Sequence, residues 1–249
     1  IACGAGDSVL SLSRRYPDVA YTALEPNPKM IEHVRAKIAA AEARDSKILN
    51  LEDASSTGLN QCGRFEEVFA DFRQRIYADV APREDWLSFF RRDRDLTELD
   101  GFLRKWLARP GWRKACEASF GDPLRAVLGT EAERRITTTW PDFVQKSLER
   151  ALRRDAAPEN HFLSLALLGM YQEDREPYYV RNGGPFAIDF VQGTLGDVRD
   201  LGGFDLVSLG SGLDLASDEV VRAEAAVLAK ALRPGAVIFL RQLGSSRSL

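Results

Sequence analysis

Two glycines and a carboxylate near the start of the chain have the types and spacing needed to hold a ligand. Gly4-Ala5-Gly6-Asp7 is predicted to turn sharply at the beginning of a helix, where the backbone can approach a bound group closely. A dinucleotide pattern would need a third glycine at position 9, which is Val9. Glu25 follows Gly6 by nineteen residues, and a carboxylate there can accept both hydroxyls of a ribose. Together they predict binding of a nucleoside without a pyrophosphate.

Alternating elements place these residues at the ends of strands. A helix is predicted over 8–16, a strand over 20–24 and a helix from Asn27 or Pro28, with Met30, Ile31, Val34 and Ile38 at helical spacing. Later strands are predicted over 186–191, 204–209 and 236–240, with a helix over 217–232. The pattern favours an α/β fold with a parallel doubly wound, Rossmann-like sheet. Because Ile1-Ala2-Cys3 is typical of a strand's end, we expect further residues upstream.

The middle of the chain differs in composition from its two ends. It contains all four tryptophans and dense Arg and Asp, and helices are predicted over 64–79, 82–92, 95–108, 111–118, 123–128, 140–152 and 160–171. The mixed-sign charge runs favour solvated helix faces over a polyanion site. We therefore expect residues 1–60 and 186–249 to form two halves of one Rossmann-like domain, split by a large helical insertion or cap over 61–185.

Composition excludes several classes of protein. The 249 residues are 45% hydrophobic with a net charge of −3, which argues against a disordered chain and a nucleic-acid binder. Three scattered cysteines and two histidines argue against a disulfide scaffold and a metal site. Neither a signal peptide nor a membrane span is predicted. A cytoplasmic location is the expectation from these features.

The Gly4–Asp7 turn and the Glu25-Pro26-Asn27-Pro28 string resemble the class I S-adenosylmethionine (AdoMet) transferases, whose first motif is a GxGxx turn and whose second strand ends in Asp or Glu. The resemblance implies that AdoMet is the co-substrate. It implies AdoMet contacts from Cys3, Gly4, Gly6, Asp7, Glu25, Pro26, Asn27, Ser208, Ser211 and Arg241. The methionine ammonium would lie near Asp7 or the carbonyls of residues 3–6.

Over nearly its whole length the chain also resembles a narrower family, the AdoMet-dependent 3-amino-3-carboxypropyl transferases of betaine-lipid synthesis, which use diacylglycerol as acceptor. The matching segments are Asn160–Gly169, Pro177–Val180, Arg241-Gln242-Leu243 and Cys62–Phe69. The resemblance implies a split Rossmann sheet with a helical insertion. It implies transfer of the aminocarboxypropyl group to a hydroxyl of a lipid or a small metabolite, with release of methylthioadenosine.

That reaction needs a base and groups that align the reactants. His161 is the candidate base, and Tyr178 or Tyr179 would orient the acceptor. Ser211 and Asp214 follow a strand end, where ligands bind in such sheets, and would face the transferring group. Arg241 would hold the carboxylate of the arm. For His161, capping or packing of the following helix is an equal alternative.

Other interpretations remain open at this level. An AdoMet-dependent methyltransferase of small molecules would use the same nucleoside site, and a non-catalytic interaction protein could keep the fold. The polar segment 50–63 is either a binding loop or a connector. Trp86, Phe89 and Phe90 either form a face for peripheral membrane contact or pack in a core.

Overall fold

The computed structural model describes residues 4–51, 58–90, 96–154 and 156–241 of the chain. They form a mixed α/β structure that is mostly helical and contains four short strands in these ranges: β1 (Tyr21–Glu25), β2 (Ile188–Gln192), β3 (Leu206–Gly210) and β4 (Val237–Leu240). In chain order the helices are α1 (Asp7–Arg15), α2 (Pro28–Ala43), α3 (Arg64–Asp79), α4 (Arg83–Phe89), α5 (Leu96–Leu107), α6 (Pro110–Phe120), α7 (Asp122–Arg135), α8 (Trp140–Leu152), α9 (His161–Leu168), α10 (Tyr178–Asn182), α11 (Gly212–Leu215) and α12 (Asp218–Ala231).

The chain divides into two compact units. The first, called the sheet unit below, comprises Ile1–Arg44, Arg134–Thr137 and Pro177–Leu249. The second, the helical unit, comprises Asp45–Glu133 and Thr138–Glu176. All four strands therefore belong to the sheet unit, and its sequence comes from both ends of the chain.

The strands pair in parallel, in two sets of two. β1 pairs with β2, with Tyr21 opposite Ile188 and Glu25 opposite Gln192. β3 pairs with β4. Among the described residues the strands thus form two two-stranded parallel sheets, where the sequence predicted one continuous sheet. Parallel pairing confirms the α/β prediction at this coarser level, since parallel strands need long crossover connections.

The core of the sheet unit lies around the strand ends and α12. It consists of Leu24, Leu195, Leu201, Val207, Leu209 and Leu228. Strand β4 adds little to it: Val237, Ile238 and Phe239 are all exposed. This cluster joins β1, β3 and α12, and further buried apolar residues of the sheet unit, such as Val9, Leu10 and Val34, lie on α1 and α2.

Aromatic side chains form the core of the helical unit. The rings of Trp86 and Trp106 lie 4.4 Å apart, centroid to centroid, and those of Phe72 and Phe120 lie 4.8 Å apart. Trp86, Phe89 and Phe90 are each at most 2% exposed. For these three residues the alternative of core packing is confirmed, and a membrane-facing role is wrong, because a buried ring cannot enter a lipid surface.

No helix of residues 4–51, 58–90, 96–154 or 156–241 combines the length and the apolar character that crossing a membrane requires.

Candidate functional site

Glu25 and the glycine turn lie against each other in the sheet unit. The backbone N–H of Gly4 donates to Glu25 Oε2 at an N···O distance of 3.2 Å, across 21 positions of sequence. The other carboxylate oxygen, Oε1, accepts from the N–H of Asn27 at 3.1 Å. The predicted proximity of turn and carboxylate is therefore present in the fold. Glu25 itself is half-buried at the end of β1.

The connection after β1 is held by local hydrogen bonds. Asn27 caps α2, because its Oδ1 accepts from the N–H of Lys29 at 3.1 Å. Pro28 occupies the first helical position, where a missing N–H costs nothing. Pro26 and Asn27 are exposed beside Glu25, so the three predicted contact residues of this segment occupy one continuous surface.

The turn packs closely on α2 and has open space on another side. Gly6 has φ 87° and caps α1, and a Cβ there would lie 2.7 Å from a methyl of Val34. A Cβ on Gly4 would meet no atom of the described residues within 4 Å. The glycine at position 6 is thus required by packing and backbone conformation, and the one at position 4 borders space that a ligand could enter.

An ion pair between a buried lysine and a partly exposed aspartate adjoins the turn. The ammonium of Lys37 donates to Asp7 Oδ2 at 3.0 Å and to the carbonyl oxygen of Ala5 at 2.9 Å, and its side chain is 1% exposed. The hydroxyl of Tyr179 donates to Asp7 Oδ1 at 2.9 Å. Asp7 therefore has protein partners on both carboxylate oxygens, and its proposed contact with a methionine ammonium stays a prediction.

His33 lies on the same helix, one turn before Lys37. Its pKa is lowered, first by burial and then by the positive charge of Lys37, while Asp7 opposes the shift. The imidazole is consequently harder to protonate than in water. The electrostatics of this region are thus set by three charged or titratable groups on α1 and α2.

The remaining predicted contact residues lie on or directly after β3 and β4, and Ser208 is inside β3 and not in the turn that follows it. Ser208 is half-buried opposite Phe239, and Ser211 precedes α11. The N–H of Arg241 donates to the carbonyl oxygen of Gly210 at 2.7 Å, which places this exposed arginine beside the turn. Asp214 is only 1% exposed, so its side chain is turned into the fold.

The candidate catalytic residues are divided between the units. Tyr178 is on α10 of the sheet unit and is 43% exposed. His161 begins α9 of the helical unit, where its ring packs on Phe162 at 4.2 Å between centroids. The cap of α9 is Asn160, whose Oδ1 accepts from the N–H of Phe162 at 3.0 Å. Of the alternatives for His161, capping is therefore wrong and packing is observed.

Some predicted features lie outside the described residues. They are the strand end at Ile1-Ala2-Cys3, positions 52–57 of the polar segment, positions 91–92 and 95 of two predicted helices, and Gln242-Leu243 of the family match. Cys62 is exposed, whereas Cys116 is buried in the helical unit, and burial raises the pKa of its thiol to about 12. Cys116 is consequently not a nucleophile at neutral pH. The described residues contain no cluster of His, Cys, Asp and Glu suited to a metal ion.

Two residues of the site were not singled out as contacts from sequence. Lys37 follows Val34 by three positions, so it lies on the apolar face of α2. A lysine among apolar residues at helical spacing is a signal that the sequence alone contains. Tyr179 was considered only as an acceptor-orienting residue. Its actual partner, Asp7, is 172 positions away, and no local pattern reports such a contact.

Comparison with protein-family models, curated proteins and solved structures found no match to this chain.

Proposed function

We propose that this chain is an AdoMet-dependent transferase that moves the 3-amino-3-carboxypropyl group to a hydroxyl of a lipid, such as diacylglycerol, or of a small metabolite, and releases methylthioadenosine. The observation that carries the proposal is the position of Glu25 against the glycine turn. The choice of transferred group depends on the family resemblance of the sequence.

The carboxylate of Glu25 has capacity left for a ribose. A carboxylate offers roughly four acceptor sites, and the N–H groups of Gly4 and Asn27 use two of them, one on each oxygen. Two neighbouring hydroxyls can be bound by the remaining sites. The open space beside Gly4 would receive the nucleoside, which supports AdoMet as the ligand.

A single Rossmann-like sheet is part of the proposal. Thr22 and Leu24 of β1 line the same apolar groove as Val207 and Leu209 of β3. Both strands direct leucines into one core cluster. These contacts support an arrangement in which the two parallel pairs are parts of one sheet, with ligands at its carboxyl edge.

The residues that follow β3 and β4 would bind the methionine end. Arg241 is an exposed guanidinium beside Gly210 and can form a bidentate pair with the carboxylate of the arm. Ser211, next in the turn, can donate to the same group. Such contacts would hold the arm at its far end, while the choice of the γ-carbon over the methyl depends on the family resemblance.

The transfer itself is one displacement. The acceptor oxygen forms a bond to the γ-carbon as the bond from that carbon to the sulfonium breaks, and the electron pair goes to sulfur. The hydroxyl proton must leave to a general base, a role that the sequence resemblance alone assigns to His161. Tyr178 would orient the hydroxyl.

The nucleoside half of the proposal is tested with Glu25→Gln. Removing the charge while keeping the shape should weaken AdoMet binding by about 1–3 kcal/mol in calorimetry, because a charged hydrogen bond is lost. Glu42→Gln is the matched control, since Glu42 is exposed near the end of α2. Equal affinities of the two variants would contradict the role of Glu25.

The transferred group is tested by product analysis. The chain is incubated with AdoMet and diacylglycerol in mixed micelles, and the nucleoside products are identified by mass spectrometry. Methylthioadenosine is expected. S-adenosylhomocysteine would identify a methyltransferase instead, and absence of AdoMet binding by calorimetry would favour the non-catalytic interaction protein.

A further inference from the structure

The buried ammonium of Lys37 is the least expected group in the sheet unit. Removing a lysine from water costs several kcal/mol by general estimates, and a buried ion pair is often no more stabilising than apolar residues of the same volume. Lys37 is 1% exposed and lies on the face of α2 that carries Ile31 and Val34. A contribution to stability alone therefore does not explain why Lys37 is buried. The hydrogen-bond partners of its ammonium indicate its role.

Lys37 fixes the orientation of one peptide in the glycine turn. Its ammonium draws the carbonyl oxygen of Ala5 toward α2 at 2.9 Å. Because a trans peptide is planar and its C=O and N–H point in opposite directions, the N–H of Gly6 is directed away from Lys37. Without the ammonium, the Ala5 carbonyl would lose its partner and this peptide would be free to rotate.

Asp7 connects the same turn to another helix. Oδ2 of Asp7 binds Lys37, and Oδ1 accepts from the hydroxyl of the fully buried Tyr179 on α10. The preceding residue on α10 is Tyr178, the exposed candidate for orienting the acceptor. One carboxylate is therefore shared by the helix after the turn, by α2 and by α10.

We propose that Asp7, Lys37 and Tyr179 form a positioning network that sets the shape of the Gly4–Gly6 turn and the place of α10 together. The three residues act through the backbone and through Tyr178 and do not touch the reacting atoms. An effect of these residues on AdoMet affinity is expected only if the proposed function is correct. Their effect on the Gly4–Gly6 turn and on α10 is independent of that function.

The network is tested with Lys37→Met and Tyr179→Phe. Lys37→Met removes the charge at similar length, and Tyr179→Phe removes one hydroxyl from an intact ring. Lys230→Met is the matched control, because Lys230 is exposed on α12 of the same unit. Circular dichroism establishes that each variant folds. Should Lys37→Met not fold, Tyr179→Phe still tests the link between Asp7 and α10.

Hydrogen–deuterium exchange measures the positioning directly. Relative to Lys230→Met, amide exchange in residues 4–9 and 178–182 should rise about tenfold in Lys37→Met, since a charged hydrogen bond is worth at least that factor. In Tyr179→Phe the increase should be largest in residues 178–182. Unchanged exchange in these segments, or an increase spread evenly over the sheet unit, would overturn the network.

AdoMet titration separates positioning from structural support. We expect Lys37→Met to lower AdoMet affinity by about tenfold or more, and Tyr179→Phe to lower it less, because only Lys37 contacts the turn itself. Equal affinities of Lys37→Met and Lys230→Met would contradict the positioning of the turn. If the unmodified chain binds no AdoMet, the proposed function fails, and the exchange pattern alone decides whether the network exists.

Discussion

His33 is a residue whose protonation opposes folding. Its pKa in the folded chain lies below the ordinary value of 6.5, because burial and the charge of Lys37 disfavour the imidazolium, with Asp7 partly compensating. As the pH falls below about 6.5, the unfolded chain therefore takes up protons at His33 more readily than the folded chain does. The free energy of unfolding consequently decreases in that range.

The pH dependence is measured with His33→Gln. Free energies of unfolding from urea titrations at pH 7.5, 6.5 and 5.5 should fall less on acidification in His33→Gln than in the unmodified chain. Carboxylates titrate in both proteins, so the difference between the two curves isolates His33. Parallel curves would show that His33 is protonated as easily in the folded chain as in the unfolded one.

At the scale of elements, Gly6 allows the start of α1 to pack closely against α2. Gly6→Ala should destabilise the chain by about 2–5 kcal/mol, adding a left-handed backbone cost of about 1–2 to a packing cost of about 1–3. Since the added Cβ would lie 2.7 Å from Val34, the double variant Gly6→Ala/Val34→Ala should recover the packing part. Additive free energies in the cycle of single and double variants would contradict the contact.

Local signals predicted the elements better than their assembly. Asn27 and Pro28 place the start of α2 correctly, and the apolar spacing of Phe65, Val68 and Phe72 predicts α3 over its whole length. Helix α10 was missed, because five residues after Pro177 are too few to show a period. Strand pairing and the Asp7–Tyr179 contact are non-local, so composition and spacing say nothing about them.

In the candidate site too, local spacing predicted some contacts and gave no information on others. The spacing of Gly4, Gly6 and Glu25 predicted their proximity, because consecutive strand–helix units bring such turns to one edge. The assignment of His161 as base had no such support, since a lone histidine near a helix start is equally compatible with packing. In the structure its ring packs on Phe162 in the helical unit.

At the scale of the whole molecule, each unit has a core of its own. That of the sheet unit includes a cluster of leucines and valines around α12 and buried residues of α1 and α2, and that of the helical unit includes aromatic rings such as Trp86, Trp106 and Phe72. Units with separate cores commonly unfold in separate transitions. All four tryptophans lie in the helical unit, so their fluorescence reports only that unit.

Urea titration followed by two probes should therefore show two midpoints. Far-UV circular dichroism reports helices of both units, whereas tryptophan fluorescence reports the helical unit. AdoMet at a hundred times its Kd should stabilise the sheet unit by about 2.7 kcal/mol, moving the dichroism transition to higher urea and leaving the fluorescence midpoint in place. Coincident transitions that shift together with AdoMet would contradict the separate unfolding of the two units, because a ligand of one unit can stabilise the other only if both unfold as one.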